Sequence, residues 1–183
     1  IGGNNNDKGV GLAIDASNNI YHSFITTGGS PTTSGSFDNT YNGGENDIGI
    51  VKISSDFSSL LFGAYLGSSG DDWVRGDLNL DEIGNLVLVG KAGDGLTTTS
   101  SAYDRTFNGG YSDGFVAKIS PDGSTLIYSS YLGGSYDDYI LNAKYNDNNE
   151  LILTGYCESG FPTTSCAYDQ TYNGNSDAFI AVL

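Results

Sequence analysis

Two pairs of neighbouring carboxylates, Asp71-Asp72 and Asp137-Asp138, stand 66 positions apart, and Asn6-Asp7 occupies the corresponding place near the start of the sequence. Carboxylate oxygens are what a hard cation such as Ca²⁺ takes as ligands, about six to eight at a time. The candidate metal ligands are therefore Asp7, Asp71, Asp72, Asp137 and Asp138. Against that, neighbours on a strand point to opposite faces, so one pair does not readily bring both carboxylates to one ion. The spacing also departs from the Asp-x-Asp-x-Asp-Gly calcium loop. The competing reading is that these side chains cap a Gly-rich turn. Ca²⁺ is the one cofactor the residues point to, and nothing in them requires it.

A second acidic series, Asp47, Asp113 and Asp177, returns at the same interval. A catalytic residue is needed once and not in every copy of a repeat, so these read as structural turn or cap residues. Tyr103, Tyr168 and Phe37 also recur and read as packing anchors, with a sugar-binding platform left open as the alternative for exposed aromatics. Trp73 stands where a later copy has Tyr139 and reads as packing. Cys157 and Cys166 are the only cysteines, placed in a loop where the other copies have Thr or Ser. A disulfide between them would contribute about 3 kcal/mol in the chain-entropy model and would place the chain in an oxidising compartment. A structural zinc site wants about four ligands, which two cysteines and a distant His22 do not provide. His22, the single histidine, has no recurring Ser/Asp or Cys partner and reads as a polar strand position. No Gly-rich phosphate loop opens a helix. No catalytic residue is assigned, and the chain reads as a non-enzyme.

These residues sit on a threefold internal repeat. Tyr65-Leu66-Gly67-Ser68-Ser69-Gly70-Asp71-Asp72-Trp73 returns as Tyr131-Leu132-Gly133-Gly134-Ser135-Tyr136-Asp137-Asp138-Tyr139, and Ile1-Gly2-Gly3-Asn4-Asn5-Asn6-Asp7 is a degraded first copy. Thr40-Tyr41-Asn42-Gly43-Gly44 returns as Thr106-Phe107-Asn108-Gly109-Gly110 and Thr171-Tyr172-Asn173-Gly174-Asn175. Landmarks recurring in a fixed order at about 66 positions define three units, 1–64, 65–130 and 131–183. Within a unit, apolar runs such as Val10 to Asp15 and Ile20 to Thr26 flank an Asn-rich turn and predict a hairpin. Gly114 to Ser120 and Thr125 to Tyr131 flank Pro121-Asp122-Gly123-Ser124 and predict a second. The prediction is an all-β fold of β-propeller-type repeats, three units of four antiparallel strands each with the last strand absent from the third. Strands this short must stack on their neighbours to bury their apolar faces, so the units together form one domain or part of a larger propeller. The repeat phase predicts that a partner, further chain or closure of the two ends completes the missing strand. Long loops of small polar residues, as at 28–35, fall at one place in each unit and predict a common loop face.

Composition narrows the partners. With 22 acidic against 7 basic residues the net charge is −15 at pH 7, which excludes nucleic acid as a partner because phosphate binding needs a cationic surface. No apolar run approaches the roughly 20 residues that span a bilayer as a helix, and no membrane insertion is expected. The 13 Tyr and 8 Phe, with no Met, place the apolar content in residues suited to strands.

The string Tyr131 to Asp138, followed by Phe161-Pro162-Thr163-Thr164, Ala167-Tyr168-Asp169-Gln170-Thr171-Tyr172-Asn173-Gly174 and Asp177-Ala178-Phe179-Ile180-Ala181, resembles the SBBP family of bacterial and archaeal β-propeller repeats. The likeness runs over essentially all three units. It implies a propeller blade in large secreted or surface-anchored proteins, often beside adhesin-like domains, with framework residues in place of a catalytic motif. The expected function is a structural or interaction module of an extracellular or cell-surface assembly, such as an adhesin, surface layer or filament. A glycan-binding propeller is the alternative, and a non-catalytic part of a secreted propeller enzyme the second. The expected partners are other protein chains or further repeats of the same chain, with polysaccharide as the ligand of the alternative.

Overall fold

The alternation of apolar runs with Asp, Asn and Gly turns is realised as eleven antiparallel strands and no helix in the computed structural model, which describes residues 1–183. The first sheet joins β1 (Asp7–Ile14), β2 (Ile20–Thr26), β3 (Asp47–Ile53) and β4 (Leu60–Leu66) in chain order. The second repeats that order with β5 (Trp73–Leu80), β6 (Leu86–Ala92), β7 (Asp113–Ile119) and β8 (Leu126–Leu132). The third has only β9 (Tyr139–Tyr145), β10 (Leu151–Cys157) and β11 (Asp177–Val182). Two sheets thus have four strands, and the third has three, without the fourth strand expected to be absent there. The three sheets stay open and form no closed ring, because neither apolar cluster joins the third sheet back to the first.

The turn chemistry explains the hairpins. Between β1 and β2 the Asp15 carboxylate accepts the amides of Ser17 and Asn19, and between β5 and β6 Asp81 does the same for Ile83 and Asn85. Asn146 takes that role before β10, accepting from Asn148 and Glu150. Asp56 and Asp122 fold the β3–β4 and β7–β8 turns by accepting from Ser58 and Ser124. A short side chain bonding the backbone two residues on is what makes Asp and Asn turn formers.

Two seams hold the sheets together. The first joins Tyr21, Ile48, Ile50 and Phe62 of sheet one to Leu86, Leu88, Phe115 and Ile119 of sheet two. The second joins Val87, Val89 and Val116 of sheet two to Ile140, Leu153 and Phe179 of sheet three. The first strands run alongside one another, β1 on β5 and β5 on β9. Sheet two is covered on both faces, so β6 and β7 are buried almost throughout, whereas β11 is exposed at alternate positions. One ring position is filled from either side of the ladder. In sheet one Phe24 of β2 lies over its register partner Gly49 of β3, and in sheet two Phe115 of β7 lies over Gly90 of β6.

Candidate functional site

The recurring carboxylates gather at the seams. Asp72 is fully buried and its Oδ2 accepts the Ser68 amide at 2.6 Å, while Oδ1 accepts the Ser68 hydroxyl at 2.8 Å and the Gly93 amide at 3.1 Å. Asp138 repeats this with the amides of Gly134 and Glu158, and Asp7 with the amide of Gly3. Each therefore closes the tight Gly-rich turn before its sheet and, for Asp72 and Asp138, ties it to the loop leaving the second strand. The first member of each pair turns elsewhere. Asp71 forms an ion pair with Lys91 at 3.0 Å and accepts from Asn46 and the Trp73 indole. Asp137 accepts the amides of Tyr111 and Ser112. The carboxylates proposed to share one cation are thus directed at separate amide and amine donors. Nowhere do three or more His, Cys, Asp or Glu side chains converge on a point that would hold a metal.

Asp47, Asp113 and Asp177 accept the amides of Asn42, Asn108 and Asn173 at 2.6, 2.7 and 2.7 Å, which folds the Asn-Gly turn onto the start of the third strand. Asp47 and Asp113 are fully buried and the Oδ1 of each has no hydrogen-bond partner. A Cβ at Gly67 would stand 2.6 Å from Asp47 Oδ1 and 3.1 Å from Asp72 Oδ2, so this seam brings acids of two consecutive sheets over one glycine. Burial, reinforced by the charges of Asp72 and Asp38, pushes Asp47 up to about 7. Burial together with Asp138 and Asp104 pushes Asp113 up to about 7 as well. Burial also raises Asp72 and carries Asp138 to about 6. Asp47 and Asp113 thus hold a proton near neutrality, and because they are sealed inside the seams that capacity acts on stability. No sequence signal marks it. Asp177 reads like Asp47 in the chain, yet with no sheet beyond it the residue remains partly exposed.

The Asn-Gly turn shows the same effect of a following sheet. Gly44 (φ 67°) and Gly110 (φ 70°) are left-handed, and a side chain there would strike the backbone of Gly70 or of Tyr136 and Asp137 in the next turn. In the third unit Asn175 takes the left-handed position at φ 63°, with no next turn to collide with.

Several expectations are corrected. Cys157 and Cys166 are both free thiols, not a disulfide. Cys157 is the last residue of β10, not a loop residue, and its side chain is buried in the second seam, while Cys166 faces solvent. Burial, with Asp138 and Asp177 nearby, pushes the Cys157 thiol up to about 11. Phe37 does pack on the first seam, but Tyr103 and Tyr168 are 64% and 107% exposed and anchor nothing. His22 lies on β2 with Nδ1 at 3.0 Å from the Gly11 carbonyl and its ring stacked on Phe24.

Trp73 packs on the first seam and draws together bases that are scattered in the chain. Arg75, Lys91 and Lys8 lie 4.7, 5.3 and 5.7 Å from its ring, beside a small polar hollow bordered by Asn6, Glu45 and Asn46. Three of the chain's 7 basic residues are thus brought together by the fold. Its ring faces are occupied by those cations and its indole N–H by Asp71, so it offers no free stacking surface.

The two ends of the array carry apolar side chains in solvent. Leu12, Ile14 and Leu60 of sheet one are 54%, 57% and 38% exposed, and Ile180 and Val182 of sheet three are 79% and 61% exposed. No protein-family model and no curated protein matches the chain.

Proposed function

We propose that the chain is a structural or interaction module of an extracellular or cell-surface assembly, built from propeller-type repeats and joined to other protein chains or further repeats through its end sheets. The observation that carries this reading is the use made of the recurring polar residues. Asp72, Asp138, Asp47 and Asp113 are spent on backbone amides at buried seams, so what repeats is framework, and what remains free is apolar sheet surface at both ends. The resemblance to SBBP repeats supports the same reading, since the Tyr-Leu landmark closes both β4 and β8. Ca²⁺ has no part in it.

Photo-crosslinking in cells that make the protein, from probes at positions 12 and 180, tests the proposal. Adducts to protein chains of the cell envelope are expected, and crosslinking from the loop tyrosines alone would defeat it.

A glycan-binding module is the second reading, favoured by the exposed loop aromatics. Tyr103, Tyr111, Tyr136 and Tyr168 all stand largely in solvent, and an aromatic with a free face is what a sugar ring packs against. Co-sedimentation with insoluble polysaccharides separates the two: retention that is lost in Tyr103→Ala or Tyr168→Ala would establish the glycan reading.

A further inference from the structure

Both internal seams close their Gly-rich turns with the same contact. In the first, Gly44 lies against the backbone of Gly70. In the second, Gly110 lies against Tyr136, and a side chain at Gly110 would begin 2.7 Å from the Tyr136 backbone. The residues at that contact differ between the seams. Tyr111 and Tyr136 of the second stand where the first has Glu45 and Gly70, each 66 positions earlier. The repeat therefore builds this turn without either ring, and the turn does not bury them, for Tyr111 is 89% exposed and Tyr136 54%. The loop carrying Tyr111 leads into β7 and the turn carrying Tyr136 joins β8 to β9, so both rings stand at a seam that has its sheet on either side.

Asp137 ties the two segments together. Its Oδ1 accepts the amides of Tyr111 and Ser112, and no group of the protein bonds its Oδ2. At the first seam the equivalent Asp71 is spent on both oxygens, by Asn46 and the Trp73 indole on one and Lys91 on the other. One framework thus carries two open rings and a free carboxylate oxygen at the second seam, and neither feature at the first.

We infer that Tyr111, Tyr136 and Asp137 form a binding site for an uncharged polysaccharide chain; the inference rests on reading the chain as a glycan-binding module. The C–H face of a sugar ring packs on an exposed aromatic face, and a carboxylate oxygen accepts a sugar hydroxyl in a charge-assisted hydrogen bond. The surroundings select against other ligands. With a net charge of −15 and Asp137 at its centre, the site repels acidic sugars, sulfated sugars and nucleic acid alike. A small apolar ligand calls for a pocket that encloses most of its surface, whereas Tyr111 stands on open surface. An extended sugar chain needs flat rings on adjacent segments and an acceptor between them, which is what the second seam presents.

Co-sedimentation of the full chain with insoluble cellulose, chitin and mannan tests this, with alginic acid as the charged comparison. Retention on one or more of the uncharged polymers and none on alginic acid is expected. Tyr111→Ala and Tyr136→Ala should each weaken retention by about three- to tenfold. Tyr111→Glu combined with Tyr136→Gly, which writes the first seam's residues into the second, should abolish it. The first seam folds with those residues, so the double variant should keep its turn, and an unchanged melting temperature verifies that. Bound polymer should also shield Tyr111 and Tyr136 from nitration while Tyr103 stays reactive. Retention that survives the double variant, or that is lost only in Tyr103→Ala or Tyr168→Ala, overturns the inference and leaves the glycan reading standing. Retention on alginic acid alone does the same. A chain retained on none of these polymers overturns the inference and the glycan reading together.

Discussion

The two seams solve one packing problem with different materials. The first is filled by rings, with Tyr21 and Phe62 edge to face at 6.1 Å and Phe115 and Tyr131 beside them. The second is filled largely by branched aliphatics, Val87, Val89, Val116, Ile140 and Leu153. Their polar skeletons nevertheless agree. Lys52 pairs with Asp15 at 3.0 Å and lies over Tyr21 in the first, and Lys118 pairs with Asp81 at 3.1 Å and lies over Tyr145 in the second. The buried Asp caps occupy equivalent positions. Apolar fill needs only the right volume, so rings and aliphatics substitute for one another. A buried amide needs an acceptor at a fixed point, so the caps do not vary.

The largest test of that contrast is deletion of fill. Phe62→Ala should cost about 3–5 kcal/mol in urea unfolding, and Val89→Ala about 2 kcal/mol. Equal costs would mean that the seams do not differ in how they are packed. Next come the caps. Asp72→Ala leaves the Ser68 and Gly93 amides unsatisfied in the interior and should cost about 2–3 kcal/mol. Its neighbour Asp71, bonded at the surface, should cost about 1 kcal/mol or less as Asp71→Ala. A reversed order would show that the outward member of the pair, and not the buried one, holds the seam.

The buried acids also set the pH response. An unfolded Asp ionises at about 3.9, while Asp47 and Asp113 keep their protons to about 7. Between those values the unfolded chain releases protons that the fold retains, so stability falls as pH rises from about 4 to about 7 and then levels. Asp56 and Asp122, lowered to about 2 by hydrogen bonds from Ser54, Ser58, Ser120 and Ser124, act in the opposite sense. Their contribution is lost as pH falls from about 4 toward 2. Thermal melts should therefore peak near pH 4 to 5, well below neutrality. Asp47→Asn keeps an acceptor for the Asn42 amide and removes the buried charge, so it should flatten the limb between pH 4 and 7 and stabilise by about 2 kcal/mol at pH 8. A melting temperature that climbs steadily from pH 4 to 7 would contradict the neutral-acid account.

The smallest expected effects are nil. EDTA should leave the melting temperature unchanged, because the paired carboxylates are engaged by amides and by Lys91. Reducing agent should also leave it unchanged, with Cys166 labelled at once by a thiol reagent and Cys157 only on unfolding. A shift with EDTA would return Ca²⁺ to Asp71-Asp72 and Asp137-Asp138, and protection of Cys166 would restore the disulfide.

Much of this was legible in the chain. Recurring landmarks located the units, and Asp15-Ala16-Ser17-Asn18-Asn19 or Pro121-Asp122-Gly123-Ser124 marked the turns, because backbone preference and local hydrogen bonding act within a few residues. Local rules misread the cysteines as a loop disulfide, since whether Cys157 meets Cys166 depends on which face of β10 is buried. They also treated Tyr103 and Tyr168 like Phe37, although only Phe37 is covered by the seam beyond it. What the sequence by itself determined was strand, turn and repeat. Which carboxylate of each pair became buried, where Lys8, Arg75 and Lys91 gathered, and which apolar residues were left in solvent were decided by the tertiary structure. Desolvation and unpaired surface are properties of the neighbouring sheet, and a repeat reads the same in the chain whether or not a neighbour covers it.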